Sequence, residues 1–226
     1  MLSLLNLLQL VSPTLPLGAY SYSEGLETLV ETQTLTDADE VRQWLETELR
    51  HGTIRIETAV MVRAYRSVKA GNLADLARWN RWLSATRETA ELQQQSWQMG
   101  NSLLRLLCDL DEAIAPDFTS YSVAVDRPCN LAIAYGIAAA AWDIPLHEAA
   151  LGYLYSWTTH LIAAAVKLVP LGQTAGQRLT RQLQLTLMEA IDRILVLEDD
   201  DLASCSWGLS LASMQHETLY SRLFRS

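Results

Sequence analysis

From Glu24 to the end of the chain, apolar residues recur every three to four positions, the spacing that places them on one buried face of a helix. Thr36 opens a segment in which Val41, Trp44, Leu45 and Leu49 share a face, with Asp39 at the capping-box distance. Ile54-Arg55-Ile56 alternates like a strand, but Ile56, Ala59, Val60, Ala64 and Val68 continue at helical spacing, so the segment reads as helix. Gly71 supplies a C-terminal stop, and Asn72 with Asp75 restarts a helix through Trp79, Trp82 and Leu83. A long helical pattern runs from Thr86 to about Leu110, interrupted only by Gly100. Pro116 and the Asp126-Arg127-Pro128 group mark loops around Tyr121 to Val125, an alternating run too short and unpartnered to make a sheet. An Ala-rich helix spans Asn130 to Trp142, and Pro145 begins another that reaches Val169. Pro170-Leu171-Gly172 breaks it, and the last strong amphipath runs from Thr174 to Leu197. With no repeat and no flexible linker, the expected architecture is all-α, a single compact multi-helix domain over residues 1–226.

The two ends depart from this texture. Pro13 and Pro16 remove two backbone donors and hold the chain extended to Leu17, Gly18 permits a turn, and four hydroxyls follow in Tyr20-Ser21-Tyr22-Ser23. Ser21 or Ser23 suffices to cap a first turn containing Glu24, which leaves the tyrosines and the Leu-Pro-Leu-Gly hinge unexplained by local stability. After Leu197 come Glu198-Asp199-Asp200-Asp201, a Ser- and Ala-rich stretch, and a tail from His216 to Ser226. On a helix Leu219 and Leu223 would pair, as would Tyr220 and Phe224, with Arg222 and Arg225 three apart. So short a helix does not hold alone in water, so the tail docks on its own body, docks on a partner, or stays mobile. Residues 1–23 and 198–226 are thus expected to be segments that order on partner binding.

Composition narrows the function classes. Half of the 226 residues are hydrophobic, and 10 Gly with 6 Pro are few for an all-β chain. A net charge of −9, with 17 basic against 26 acidic residues, excludes a nucleic-acid binder and an anionic membrane surface as partners. Cys108, Cys129 and Cys205 are widely spaced and odd in number, which fits reduced, buried thiols and a cytoplasmic setting. Met1 to Val11 lacks the basic region and cleavage site of a signal peptide. Leu131 to Trp142 is too short to span a bilayer, and Leu151 to Val169 carries Thr158, Thr159, His160 and Lys167, so both read as buried helices.

Candidate chemistry is sparse. His51, His147, His160 and His216 stand far apart, with no Cys-x-x-Cys or His-x-x-x-His, and read as ordinary core or surface histidines. Gly172-Gln173-Thr174-Ala175-Gly176-Gln177 opens a helix but lacks the Gly-Lys-Ser/Thr of a phosphate loop, so a helix break with a cap is the simpler reading. No Gly-x-Ser-x-Gly elbow is present. The acidic run Glu198 to Asp201 reads as a solvated loop, with passage of a divalent cation as the sharper alternative. The seven tryptophans read as core filler.

Against this background, Ser12-Pro13-Thr14-Leu15-Pro16-Leu17-Gly18-Ala19-Tyr20-Ser21-Tyr22-Ser23-Glu24-Gly25-Leu26-Glu27 resembles the N-terminal signature of the UreF family of urease accessory proteins. Arg87-Glu88 with Gln98-Met99-Gly100 is similar to the family's central helix, and Ile133-Ala134-Tyr135-Gly136 to its Val-Ala-Phe-Gly segment, although Ala132 stands where the family has proline. The run Lys167-Leu168-Val169-Pro170-Leu171-Gly172-Gln173-Thr174-Ala175-Gly176-Gln177 resembles its most specific internal signature, and His216 to Ser226 its terminal motif. The resemblance implies an all-α, non-enzymatic scaffold that acts as a homodimer with UreD (also called UreH) and recruits the UreG GTPase. That assembly activates apo-urease, and nickel is handled by the complex with no cofactor or metal site of this chain's own. The partner-binding residues it implies are Pro16, Gly18, Tyr20, Ser23 and Glu27 at one end, Lys167, Gln173, Thr174 and Gln177 at the helix break, and His216, Glu217, Tyr220, Arg222, Leu223, Phe224 and Arg225 in the tail. Packing on the chain's own body competes for the tail aromatics, and simple capping for the residues at the break. Two other classes fit the same helices: an enzyme acting on a small apolar metabolite, with Tyr20, Tyr22, Glu24 and His160 at its site, or a helical adaptor for another partner.

Overall fold

The computed structural model describes residues 1–110, 115–126, 128–204 and 206–226, and those residues contain twelve α-helices and no strand. The arrangement is built around α8 (Leu131–Ala141), in which every residue from Ala132 to Ala140 is buried. A run of alanines is strongly helical and leaves a thin cylinder, so neighbours approach its backbone closely. Gly136 is the tightest such point. A Cβ there would lie 2.7 Å from the Met61 carbonyl oxygen and 2.8 Å from the Ala64 Cβ, so α8 crosses α4 (Thr53–Lys69) nearly backbone to backbone. Gly136, the last residue of the Ile133-Ala134-Tyr135-Gly136 segment, is therefore explained by packing. Each fully buried isoleucine of α8 contributes about 1.5–3 kcal/mol of burial free energy.

Around this axis lie α6 (Ala90–Leu110) and α9 (Leu146–Leu168), with α3 (Ala38–His51), α5 (Leu73–Thr86) and α7 (Ala115–Ala124) closing the sides. α10 (Gln173–Gln182) and α11 (Gln184–Leu195) pack on α9, and α12 (Trp207–His216) packs on α2 (Leu26–Glu31). α1 (Leu2–Leu10) touches α9 and leaves Leu2, Leu4, Leu5 and Leu8 exposed.

Most expected boundaries hold to within a residue or two, and the departures have local causes. Asp37, not Thr36, caps α3 by accepting from the Glu40 amide, while Thr36 donates from its amide and hydroxyl to the Glu40 carboxylate. Asn72 caps α5 as expected, after Gly71 turns left-handed at φ 66°. The last amphipath is two helices that meet at Leu183. Pro116 falls in the first turn of α7, and Tyr121 to Ala124 are helical. The Leu-rich start is itself helical, and the Ser- and Ala-rich stretch before His216 forms α12, whereas residues 217–226 contain no helix. Cys108 is a half-buried free thiol and Cys129 is buried, with its Sγ 3.4 Å from the Asn130 carbonyl oxygen; Arg127 and Cys205 lie outside the described residues.

The acidic run has a structural duty. Asp199 begins a 3-10 turn (Asp199–Asp201) and its Oδ1 lies 2.7 Å from Nε of Arg63, a buried side chain that also donates to the Leu197 carbonyl and sits 5.0 Å from the Trp79 ring. A buried guanidinium needs that partner, because an unpaired charge in the interior is costly.

Candidate functional site

The segment from Ser12 to Gly25 wraps the body and turns at three left-handed positions: Gly18 at φ 76°, Glu24 at φ 52° and Gly25 at φ 79°. Gly25 is left-handed where α2 meets α12, and a Cβ there would press on the Ser213 amide at 3.1 Å. Glu24 adopts the same region with a full side chain, a strained conformation that aims its carboxylate inward. There it accepts from Gln95 Nε2 and Trp157 Nε1, each at 2.8 Å.

Glu24 borders a cavity of about 450 Å³. One wall is a single stripe of α9, in which Tyr153, Trp157, His160, Ala164 and Lys167 fall four and three apart. The opposite side carries Leu15, Leu17 and Tyr20 of the N-terminal segment, and Phe224 of the tail reaches in as well. Beneath lies the Arg87–Glu57 ion pair, with Tyr153 Oη donating to Glu57 at 3.2 Å. Burial, reinforced by Glu57, pushes the Glu24 carboxyl up to about 7, against the hydrogen bonds of Trp157 and Gln95. Burial likewise pushes Glu48 up to about 7, with Glu24 and Glu88 adding to it. Burial lowers His160, whose Nε2 lies 2.9 Å from the Tyr22 carbonyl.

The tail occupies the neighbouring surface, and its backbone is the part that is held. Glu27 Oε1 accepts from the Leu223 amide at 2.6 Å and Oε2 from the Phe224 amide at 2.9 Å. His216, wholly buried, sets Nε2 3.1 Å from Glu27 and Nδ1 2.8 Å from Glu91, and Arg222 reaches the other Glu91 oxygen at 3.0 Å. The Ser23 amide and hydroxyl both donate to the Ser226 carbonyl, the Arg225 amide donates to Ser21, and the Ser226 hydroxyl donates to Gln95. Phe224 is buried with Lys167 Nζ 5.4 Å from its ring centroid. Leu223 and Tyr220 point away, 65% and 106% exposed.

The sixteen residues implied as partner contacts thus divide into two groups. Pro16, Tyr20, Lys167, Gln173, Thr174, Gln177, Glu217, Tyr220, Arg222, Leu223 and Arg225 are exposed and Gly18 is half-buried, whereas Ser23, Glu27, His216 and Phe224 are buried and bound within the chain. The tail docks on its own body, the first of its three expected fates, as a run of turns and bends and not as the pairing helix. Gln173 and Thr174 make no cap, since the N-cap position of α10 is Gly172 and no side chain caps it; Gln173 and Gln177 line the cavity instead. Gly176 faces the Val166 side chain, where a Cβ would lie 2.9 Å away, so the second glycine of that signature serves helix packing.

Comparison with known proteins decides the family. The UreF sequence profile matches residues 35–184. The urease accessory protein UreF of Nostoc sp. (strain PCC 7120 / SAG 25.82 / UTEX 2576) is 58% identical over 222 residues, covering 98% of this chain and 95% of its own. Those of Synechocystis sp. (strain ATCC 27184 / PCC 6803 / Kazusa) and Azoarcus sp. (strain BH72) are 52% and 42% identical, over 98% and 100% of this chain and 97% of each relative.

The chain belongs to the UreF family.

UreF proteins are urease accessory proteins, non-enzymatic maturation factors, so the small-metabolite enzyme is set aside. Three of the four residues proposed for that enzyme converge, with Tyr20, Glu24 and His160 bordering the cavity, whereas Tyr22 is buried and its hydroxyl donates to Gln98. Sequence reasoning passed over Glu57, Gln95, Trp157 and Glu91, and took Arg87 only as part of a family signature; the polar stripe through Tyr153, Trp157, His160 and Lys167 was the available signal. Among the described residues no three His, Cys, Asp or Glu side chains are placed to hold a metal ion, and no helix is long and apolar enough to cross a membrane.

Proposed function

We propose that this UreF-family chain promotes urease maturation as a docking scaffold, binding a UreD (UreH) partner through its tail and N-terminal segment. With that partner it recruits the UreG GTPase to apo-urease. In this reading the scaffold works as a homodimer in the cytoplasm, and nickel is cargo of the assembly. The observation that carries it is the exposure of Tyr220 and Leu223 on a tail whose backbone is tied down. Large apolar side chains displayed on an ordered backbone are hot-spot material, because the ordering cost that a free tail would incur on binding is already met. Deleting residues 219–226 should abolish co-purification with UreD while the helical circular dichroism stays nearly intact. Undiminished capture by the deletion variant would refute the docking role.

A further inference from the structure

Glu27 is the place where the tail's shape is decided. It sits on α2, 7% exposed, too deep to meet another protein, and its two oxygens take the amides of the consecutive residues Leu223 and Phe224. The same carboxylate faces His216, at the end of α12, so one side chain ties together the root of the tail and its far half. Two adjacent amides converge on one carboxylate only where the chain bends, and Leu223 and Phe224 lie in such a bend, which sends their side chains apart: Leu223 is 65% exposed, Phe224 5%, Arg225 exposed, Ser226 1%. Charge-assisted hydrogen bonds to a buried carboxylate are the strongest contacts available to a segment with no secondary structure of its own.

We propose that Glu27 is the positioning residue of the docking tail: it touches no partner, but it sets which tail side chains a partner meets. The proposal rests on the docking role assigned above. The face it presents, Tyr220 and Leu223 with the exposed Arg225, suits an apolar groove with a carboxylate at its rim. Without Glu27 the tail would still carry those side chains, but on a mobile backbone that must be ordered at each encounter.

Glu27→Ala, Glu27→Gln and the unaltered chain are compared by trypsin cleavage at Arg222 and Arg225 and by capture of UreD. In Glu27→Ala both cleavages should accelerate at least tenfold and capture should fall about tenfold to hundredfold, with helical dichroism preserved. Glu27→Gln keeps one carbonyl acceptor and should recover part of both. Unchanged tail protection in Glu27→Ala overturns the proposal, as does full capture by a tail that has become cleavable. Should Glu27→Ala fail to fold, hydrogen exchange on the unaltered protein decides: Leu223 and Phe224 amides exchanging at least a hundredfold slower than free peptide support it, and free-peptide rates overturn it. If deletion of 219–226 leaves capture intact, the docking role falls, while cleavage and exchange still report whether Glu27 holds the tail.

Discussion

At the α4–α8 crossing the contact is aliphatic and nearly bare backbone, with Gly136 set against Met61 and Ala64. The tail, by contrast, meets the body through Glu27, His216, Glu91 and Ser23, and apart from Phe224 its apolar side chains are largely left outside. Both regions are ordered, but by contacts that answer to different perturbations. Aliphatic packing is insensitive to pH and salt and intolerant of lost volume. A polar clasp depends on a few charged groups and can be undone one group at a time. A scaffold gains from that division, since its docking end can be tuned without melting the frame.

The largest expected effect lies in the frame. Ile137→Ala empties space at a wholly buried position and should cost about 2–5 kcal/mol in denaturant unfolding, while tail protection from trypsin stays unchanged below the transition. Loss of tail protection well before global unfolding in this variant would show that the two regions are not separable.

Next comes pH. Glu24 and Glu48 are raised from the usual 4.5 to about 7, so the folded state binds their protons more tightly than the unfolded chain does. Their contribution is complete below about pH 4.5 and is lost as pH rises through 7. His160, lowered by burial, acts in the opposite sense, because acid charges it in the unfolded chain first. Asp75, lowered from 3.8, loses its contribution only at more acid pH. Stability should therefore fall by roughly 1–3 kcal/mol between pH 5 and pH 7, and Glu48→Gln should flatten the slope. A rising or level profile in the unaltered chain would contradict the assignment.

The smallest effect belongs to Arg222. Its side chain is 42% exposed beside Glu91, so Arg222→Ala should cost under about 1 kcal/mol of tail protection and the loss should shrink in high salt. A large, salt-independent loss would mean that Arg222, and not Glu27, anchors the tail.

The helices were legible because each is a local statement: Asn72 caps, Gly71 stops, and the alanines of α8 have no better option than a helix. The tail was not, because pairing Tyr220 with Phe224 on a helix is equally good local grammar, and nothing near position 224 says that a carboxylate at position 27 will take its amide. The cavity was half legible: α9 carries its stripe in the open, whereas Glu57 and Arg87 gain meaning only once three helices bring them under Glu24.

What the chain by itself determined is therefore most of the helices, their order, their buried faces and the family, with α1, α7 and α12 emerging only in the structure. What tertiary structure alone decided is the use of the polar residues, with Glu27 turned from a surface contact into an internal anchor and Glu24 from a cap neighbour into a cavity wall. The physical reason is range. Helix periodicity is set by neighbours three and four residues apart, while a buried carboxylate takes its role from partners as much as 197 residues away, whose approach no local pattern encodes.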